Sequence, residues 1–213
     1  MVIVLAKLLL AYLLGSLSGS LLVGGLRGID IRTQGSGNAG GTNALRVAGW
    51  RFALAVVIID VGKGALAALL GDVAWASTPA SSLSPQLLSC LCAFAAVVGH
   101  CWPVFFGFRG GKGAGTAVGA VLVLAPWIAV AMVATWLAAI VCWRYVGLAT
   151  ILAGLAFPLL VWLASAFVHP QTTALLMFAI AIAVLLVFTH RSNLVRMRNG
   201  VEPQIGRKPT SAS

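Results

Sequence analysis

Long, uninterrupted apolar segments constrain this chain of 213 residues more than any other feature. Apolar runs of about 18 or more residues are typical of transmembrane helices, and only 8% of the residues are charged. The sequence therefore predicts an all-α, polytopic integral membrane protein, with residues 1–213 forming a single transmembrane domain. Seven segments fit as spans, with these approximate limits: Val2–Leu26, Val47–Leu70, Pro85–Val98, Ala114–Leu124, Trp127–Trp143, Gly147–Val168 and Thr172–Thr189.

The third and fourth segments are shorter than the roughly 20 residues that a membrane-crossing helix needs. We expect them to extend into their flanking loops or to meet water partway across the membrane. A count of five spans, with the short segments re-entrant, is the alternative. The first segment resembles a signal peptide, but its apolar run continues to about Leu26 without an A-x-A cleavage site, which favours a first span.

Positive charge is distributed unevenly between the loops. Cytoplasmic loops of membrane proteins are rich in Lys and Arg, and this predicts an N-terminus outside and a C-terminus in the cytoplasm. The outer loops, around residues 72–84, near Pro126 and around His169, then contain no Lys or Arg. Lys7 and Lys63 lie within spans, and the other 12 of the 14 basic residues lie inside: Arg27, Arg32, Arg46, Arg51, Arg109, Lys112, Arg144, Arg191, Arg196, Arg198, Arg207 and Lys208.

The net charge of +10 would suggest nucleic acid in a soluble protein. Here the basic residues lie between apolar runs, so we expect the lipid bilayer as a partner and no nucleic acid. Carboxylates are too few to form a metal site, and we expect neither a metal nor a cofactor. No disulfide or zinc site is expected from the four cysteines, which lie in or against spans: Cys90, Cys92, Cys101 and Cys142.

Three polar segments fall on the predicted cytoplasmic side. They read GSGNAGGTNALR over residues 35–46, GHCWPVFFGFRGGKGAGT over 99–116 and HRSNLVRMRNGVE over 190–202. Glycine-rich backbone can direct several N–H groups at one anion, while Arg and Lys side chains bind phosphate. The three segments together predict a site for one or two phosphate groups. The alternative is that they are ordinary basic loops in contact with anionic lipid headgroups.

Two common catalytic motifs are absent from these segments. A Walker A motif would need a glycine where Phe106 stands and a Ser or Thr where Gly113 follows the lysine. The His-x4-Asp dyad of acyl-CoA-dependent acyltransferases would need an aspartate five residues after a histidine. The residues at that distance from the three histidines are Phe105, Ala174 and Val195. Any chemistry must therefore use few protein acids or bases.

Within the second span, Asp60 and Lys63 lie three residues apart on one helix face. A buried charge is costly in a membrane, and an opposite charge one turn away offsets that cost. We expect a neutralised pair that holds the span to its neighbours; an anchor that orients the residues of the site is the alternative.

The three segments resemble the three motifs of the bacterial acyl-phosphate:glycerol-3-phosphate acyltransferases, the PlsY-type family. The first is similar to G-S-G-N-x-G-A-T-N-x-x-R, with Gly41 where alanine is usual, and the third has Met197 where leucine is usual. The second matches G-H-x-x-P-x-F-x-x-F-x-G-G-K-G over residues 99–113. The family's intramembrane D-x-x-K-G is found at residues 60–64, so the likeness covers nearly the whole chain.

This resemblance implies seven spans with the active site on the cytoplasmic face of a bacterial inner membrane. It also implies transfer of a fatty acyl group from acyl phosphate to the 1-hydroxyl of glycerol 3-phosphate, which gives 1-acylglycerol 3-phosphate and phosphate. A soluble enzyme that makes acyl phosphate is a plausible partner. A small transporter of phosphate esters is the alternative function, although no internal repeat supports it.

Carried onto this sequence, the resemblance implies a set of site residues. The expected catalytic residues are His100, His190 and Lys112, and the supporting pair is Asp60 and Lys63. A histidine could be the general base, or a substrate phosphate could accept the hydroxyl proton; His100 could instead cap the third span. The expected substrate-binding residues are Ser36, Asn38, Gly40, Gly41, Thr42, Asn43, Arg46, Gly110, Gly111, Gly113, Thr116, Asn193, Arg196 and Glu202.

The acyl chain is expected to enter from the bilayer. Phe105, Phe106 and Phe108, together with Trp102, could line its path beside the second polar segment. An aromatic belt at the membrane interface is the alternative role, above all for Trp102.

Overall fold

The structure is a computed structural model that describes residues 1–72, 83–168 and 172–206. Within these ranges the regular elements are helices, and the sequence predictions for His169, Arg207 and Lys208 lie outside them, as does most of the loop at 72–84. The α-helices are α1 Val2–Gly15, α2 Gly19–Gly25, α3 Gly41–Asp72, α4 Pro85–Cys101, α5 Ala114–Leu124, α6 Pro126–Trp143, α7 Val146–Phe167, α8 Thr173–Thr189 and α9 Arg191–Arg198.

Every predicted apolar segment is helical, but not every helix is long enough to span a membrane alone. Within the described residues, four helical stretches have the length and hydropathy of a span: α3, α6, α7 and Pro85–Phe106, which is α4 with the short 3₁₀ helix after it. The bent pairs α1–α2 and α8–α9 raise the number to six if each counts as one span. The apolar helix α5 has only 11 residues. The chain is therefore a multi-helix membrane protein, and the count of seven spans stays a prediction.

The first predicted span, Val2–Leu26, is not continuous, contrary to expectation. Its two helices meet at an angle of 52° across Ser16–Ser18. The break frees backbone groups, and α3 supplies their partners. Lys63 Nζ donates to the Leu17 carbonyl at 3.0 Å, and the Gly19 amide donates to Asp60 Oδ1 at 3.1 Å.

The helix α3 starts at Gly41, earlier than the predicted start at Val47, and so includes the end of the first polar segment. It is interrupted at Gly49, where φ is 81° and ψ is 179°. This is a backbone conformation that glycine adopts without steric cost. The interruption separates the first turns of α3 from the rest of the helix, and Gly41, Thr42 and Arg46 of these turns line the cavity described below.

Glycines allow α3 and α5 to pack at close range. A β-carbon added at Gly64 would overlap the carbonyl oxygen of Thr116, and one added at Gly119 would overlap the carbonyl oxygen of Val61. Small residues at such contacts are typical of membrane helix pairs, because association there depends on close backbone approach rather than on hydrophobic burial. The remaining core joins α4 to α8, with Phe157 and Phe178 in an edge-to-face contact at 5.9 Å.

This packing predicts different outcomes for two glycines of the same helix. Replacing Gly64 by alanine should lower the free energy of unfolding by about 1–3 kcal/mol, since overpacking a tight contact costs that much. Gly62→Ala is the matched control, because a β-carbon there has no atom within 4 Å. Thermal unfolding of both variants in detergent measures the difference. Equal stability of the two variants would contradict the close contact.

Candidate functional site

One cavity of about 1200 Å³ opens among the three polar segments and continues between the helices. Its polar end is lined by residues of all three segments: Ser36, Asn38, Gly40, Gly41, Thr42, Arg46, Lys112, Gly113, His190 and Arg196. Its apolar end is lined by residues of α3, α5, α6 and α7, among them Val57, Val118, Met132, Val133, Trp136, Ala153 and Gly154. The cavity thus joins a cationic surface to a groove among apolar helices. The short helix α5 begins at its wall, which accounts for its length.

Asn43 shapes the first polar segment from within. Its side-chain oxygen accepts a hydrogen bond from the Ser36 amide at 2.8 Å, and its nitrogen donates to the carbonyls of Ile31 and Gln34 at 3.0 Å each. These bonds use the whole amide group, and Asn43 is buried. Asn43 therefore holds Ser36 at the cavity edge and does not itself line the cavity.

Glu202, which does not line the cavity, connects the second and third polar segments. Its carboxylate accepts from Asn193 Nδ2 at 2.7 Å and from Arg196 Nε at 2.7 Å. Asn193 Oδ1 in turn accepts a hydrogen bond from Lys112 Nζ. The buried carboxylate thereby fixes the positions of two cations, Lys112 and Arg196, at the cavity wall.

Lys112 is partly buried, and this alters its protonation. Burial, followed by the positive charge of Arg196, lowers the pKa of Lys112 to about 8. The ammonium form therefore predominates at pH 7, but its charge is lost at only slightly alkaline pH. A bound phosphate dianion would favour the charged form.

His190 lies between α8 and α9 and presents a lone pair to the cavity. Its Nδ1 lies 2.8 Å from the Leu186 carbonyl, which can only accept a hydrogen bond. Nδ1 therefore carries the hydrogen, and Nε2 is left as an acceptor. Burial, with a contribution from the charge of Lys112, lowers the pKa of His190 to about 4, so the ring is neutral at pH 7.

Arg32 joins the first polar segment to the second. It pairs with Asp30 at 2.8 Å and donates from Nη1 to the carbonyls of Phe106 and Arg109 at 3.0 and 3.3 Å. The role of Arg32 was not expected from the sequence, where it counted only as an inner-loop charge. It holds two of the site-forming segments in one arrangement.

The structure separates the predicted site residues into two groups. Those that line the cavity are Ser36, Asn38, Gly40, Gly41, Thr42, Arg46, Asp60, His100, Lys112, Gly113, His190 and Arg196. Those that do not line the cavity are Asn43, Lys63, Gly110, Gly111, Thr116, Asn193 and Glu202. Thr116 is fully buried where α5 packs against α3, and its hydroxyl has no hydrogen-bond partner among the described residues. The structure therefore gives no support to a substrate contact by Thr116.

The aromatic residues after α4 do not form the expected acyl path. Phe105 and Phe108 are 56% and 57% exposed, and none of the four aromatic residues of this segment lines the large cavity. Phe108 has a φ of 59° and follows Gly107 at 65°, so two consecutive residues adopt the left-handed backbone conformation here. The groove instead runs between α6 and α7, whose apolar residues have no distinguishing sequence pattern.

A segment after α9 forms a further wall of the cavity. Of its residues, only Glu202 was predicted from the sequence as a site residue. Residues 201–206, here called the C-terminal strap, run past the cavity, and five of the six line it. The Ile205 amide donates to the Arg144 carbonyl at 2.9 Å, which fastens the strap to the turn between α6 and α7.

This arrangement suits a substrate that is anionic at one end and apolar at the other. Arg46, Lys112 and Arg196 surround the polar end, and backbone amides at the start of α3 add further donors. Within the described residues, no three His, Cys, Asp or Glu side chains come close enough to hold a metal ion. The side chains around the cavity can supply charge stabilisation, hydrogen bonding and positioning.

Known proteins resemble this chain over nearly its whole length. Glycerol-3-phosphate acyltransferases of Chlorobaculum tepidum and Chlorobaculum parvum are 39% and 37% identical to it, over 96% and 94% of this chain and 98% and 96% of theirs. Two crystal structures of PlsY, an integral membrane glycerol 3-phosphate acyltransferase, are also similar. The glycerol 3-phosphate form gives a TM-score of 0.80 at 33% identity, with 95% of this chain and 96% of that chain covered. The lysophosphatidic acid form gives 0.79 at 32% identity, with 95% of each chain covered.

The model of the family described as glycerol-3-phosphate acyltransferase matches residues 5–200. The match includes the three polar segments as far as Gly200 and all the helices that surround the cavity. The chain belongs to the glycerol-3-phosphate acyltransferase family of PlsY type.

Proposed function

We propose that this protein transfers a fatty acyl group from acyl phosphate to the 1-hydroxyl of glycerol 3-phosphate. The products are 1-acylglycerol 3-phosphate, or lysophosphatidic acid, and inorganic phosphate, and the reaction is the first acylation of phospholipid synthesis. One observation carries the proposal: a single cavity joins three cationic side chains to an apolar groove. Glycerol 3-phosphate and the phosphate of the donor fit the first part, and the acyl chain fits the second.

The reaction needs no strong acid, because phosphate is a good leaving group. The hydroxyl oxygen of glycerol 3-phosphate forms a bond to the acyl carbon, and the bond from that carbon to the phosphate oxygen breaks with its electron pair. The hydroxyl proton ends on a phosphate oxygen. A neutral His190 of pKa about 4 is a weak base, so we assign its Nε2 the role of orienting the hydroxyl and a substrate phosphate the role of proton acceptor.

The cations divide between the two phosphates of the ternary complex. Arg46 extends from the first segment and Arg196 from the third, while Lys112 lies between its partners Ser192 and Asn193. The Gly40 amide donates to the Asn38 carbonyl at 3.0 Å, and the Gly41 amide at the start of α3 adds a donor that needs no charge. Catalysis in such a site consists of positioning and of stabilising the charge that develops on oxygen.

We further propose seven spans, an N-terminus outside and a site on the cytoplasmic face of a bacterial inner membrane. The distribution of Lys and Arg supports this orientation. A soluble enzyme that makes acyl phosphate would then reach the same face as the site. A transporter of phosphate esters is not favoured, since the similar proteins are named as acyltransferases.

The proposal is tested by phosphate release from the purified protein in lipid. Palmitoyl phosphate is supplied with and without glycerol 3-phosphate, and palmitoyl-CoA is supplied in a parallel reaction. We expect phosphate release that depends on glycerol 3-phosphate, and no release of CoA. Turnover of palmitoyl-CoA alone would contradict acyl phosphate as the donor. No turnover with either donor would contradict the proposed acyltransferase function.

The protonation of Lys112 predicts a pH dependence. Its pKa of about 8 is lowered from the ordinary value, so the positive charge is present below pH 8 and is lost above it. We therefore expect kcat/KM for glycerol 3-phosphate to fall above about pH 8, since kcat/KM follows the ionisation of the free enzyme.

The matched variant for this prediction is Lys112→Arg, because arginine stays charged throughout this range. The variant should be less active but should lose the alkaline fall in kcat/KM. Reactions without enzyme correct for spontaneous hydrolysis of acyl phosphate. An alkaline fall of the same midpoint in the variant would assign the titration to another group.

The groove predicts a residue that controls acyl chain length. Gly154 lies two turns along α7 from Val146, about 12 Å deeper at 1.5 Å per residue. Replacing Gly154 by leucine should shorten the groove, so kcat/KM should fall at least about tenfold more for palmitoyl than for octanoyl phosphate, or about 1.4 kcal/mol. Leu155→Phe is the control, because Leu155 is half exposed on the same helix and does not line the cavity. An equal loss of kcat/KM with both donors would mean that the acyl chain does not bind in this groove.

A further inference from the structure

We propose that His100 presents a fixed N–H donor, at Nε2, to an anionic oxygen of the bound substrates. Lys63 and Asp60, inside the membrane, are the positioning residues that fix this proton. The inference rests on the proposed function for the identity of the substrate. It assigns His100 a role opposite to that of a general base.

The first step is the surroundings of His100 at the end of α4. The residue is 3% exposed. Its Nδ1 lies 2.9 Å from Lys63 Nζ and 3.4 Å from Asp60 Oδ1. Nδ1 is thus engaged on the side of the ring that faces the intramembrane pair.

The second step accounts for the hydrogens of Lys63. Its Nζ lies 3.0 Å from the Leu17 carbonyl and 3.0 Å from Asp60 Oδ1, both of which accept hydrogen bonds. An ammonium group has three hydrogens. The third is therefore directed at His100 Nδ1, which must accept it.

The third step concerns charge. A cluster buried in a membrane is favoured when its net charge is zero. With Asp60 ionised, two arrangements satisfy this condition: a charged lysine beside a neutral histidine, or a neutral lysine beside a charged histidine. In the first, Nδ1 accepts and the hydrogen is on Nε2; in the second, both ring nitrogens carry hydrogens. Both arrangements place a hydrogen on Nε2.

The fourth step is the direction of Nε2. His100 lines the cavity, and its Nε2 has no hydrogen-bond partner within the part of the chain that the structure describes. A β-carbon at Gly111 would overlap Nε2, so glycine at this position leaves the space in front of the ring open. The free N–H is therefore available to a ligand in the cavity.

The two histidines of the site then have opposite hydrogen-bonding polarity. Nε2 of His190 presents a lone pair, because its Nδ1–H is bound to the Leu186 carbonyl. Nε2 of His100 presents a hydrogen. A donor in this position stabilises the negative charge that grows on the acyl carbonyl oxygen or on the departing phosphate, and His100 neither gains nor loses a proton during turnover.

The experiment is ¹⁵N NMR of the protein in lipid nanodiscs, with labelled histidine and His100 assigned by its loss in His100→Gln. We expect a protonated Nε2 near neutral pH, with Nδ1 unprotonated if Lys63 carries the charge and protonated if His100 carries it. A stable acyl phosphonate and glycerol 3-phosphate, added separately and together, should shift the Nε2–H signal. A protonated Nδ1 with a bare Nε2 would overturn the proposal.

Two lysine variants test the positioning role. In Lys63→Met, His100 Nδ1 should gain a hydrogen and donate to Asp60, so its ¹⁵N signal should move. Lys7→Met is the matched control, because Lys7 is also buried in the bundle but donates to the Gly71 carbonyl. An unchanged His100 signal in Lys63→Met would show that Lys63 does not fix the proton.

Kinetics supply a test that does not depend on the lysine variants. The amide nitrogen of glutamine takes the place of Nε2, so His100→Gln keeps a donor, whereas His100→Leu removes it. We expect kcat of His100→Leu to be about 100-fold or more below that of His100→Gln, the loss typical of one oxyanion donor. Equal kcat values would overturn the proposal. Absence of turnover in the wild type, with the NMR result as expected, would contradict the proposed function and leave the donor in place.

Discussion

The ion pair of Asp60 and Lys63 is the interaction on which the rest of this structure depends. Two charges within a bilayer are tolerated only when they are paired and fully hydrogen-bonded. Here the partners are the two backbone groups freed by the broken first span, at Leu17 and Gly19, together with the ring of His100. The pair thus ties α1, α2 and α4 to α3. The polar cluster is also one wall of the cavity, so the interaction that holds four helices together also sets the chemistry of a site residue.

Charged and apolar surfaces meet in one cavity of the described part of this protein. The polar segments are placed by side chains that do not touch the cavity, such as Asn43, Glu202 and Arg32. The packing of α3, α5, α6 and α7 forms the apolar groove. One cavity therefore joins cationic side chains to an apolar groove. In the function proposed above, the phosphate ester and the acyl donor meet there, and few protein acids or bases are needed because the donor carries its own leaving group.

Much of the fold could be predicted because hydropathy is a local property: each apolar segment is helical, although the first is broken into two helices. The polar segments were also found, since glycine, asparagine and arginine are conspicuous in an apolar chain. The direction of single side chains could not be predicted. Thr116 and Asn43 are buried and do not line the cavity, because Thr116 packs against Gly64 of α3 and the Asn43 side chain accepts a hydrogen bond from the Ser36 amide. Gly154 and Met132 were missed because a groove residue has the same composition as any residue of a span. The positive φ of Phe108 could not be predicted either, because its side chain does not indicate it.

The break between α1 and α2 has a consequence for biosynthesis. A membrane chain is made from its N-terminus, so α1 and α2 reach the bilayer before α3 does. At that stage the Leu17 carbonyl and the Gly19 amide lack the partners that α3 supplies. Unpaired backbone groups are costly in lipid, and a continuous helix satisfies them within the segment. We therefore expect the newly inserted first span to be straight. The bend should form when α3 docks against it.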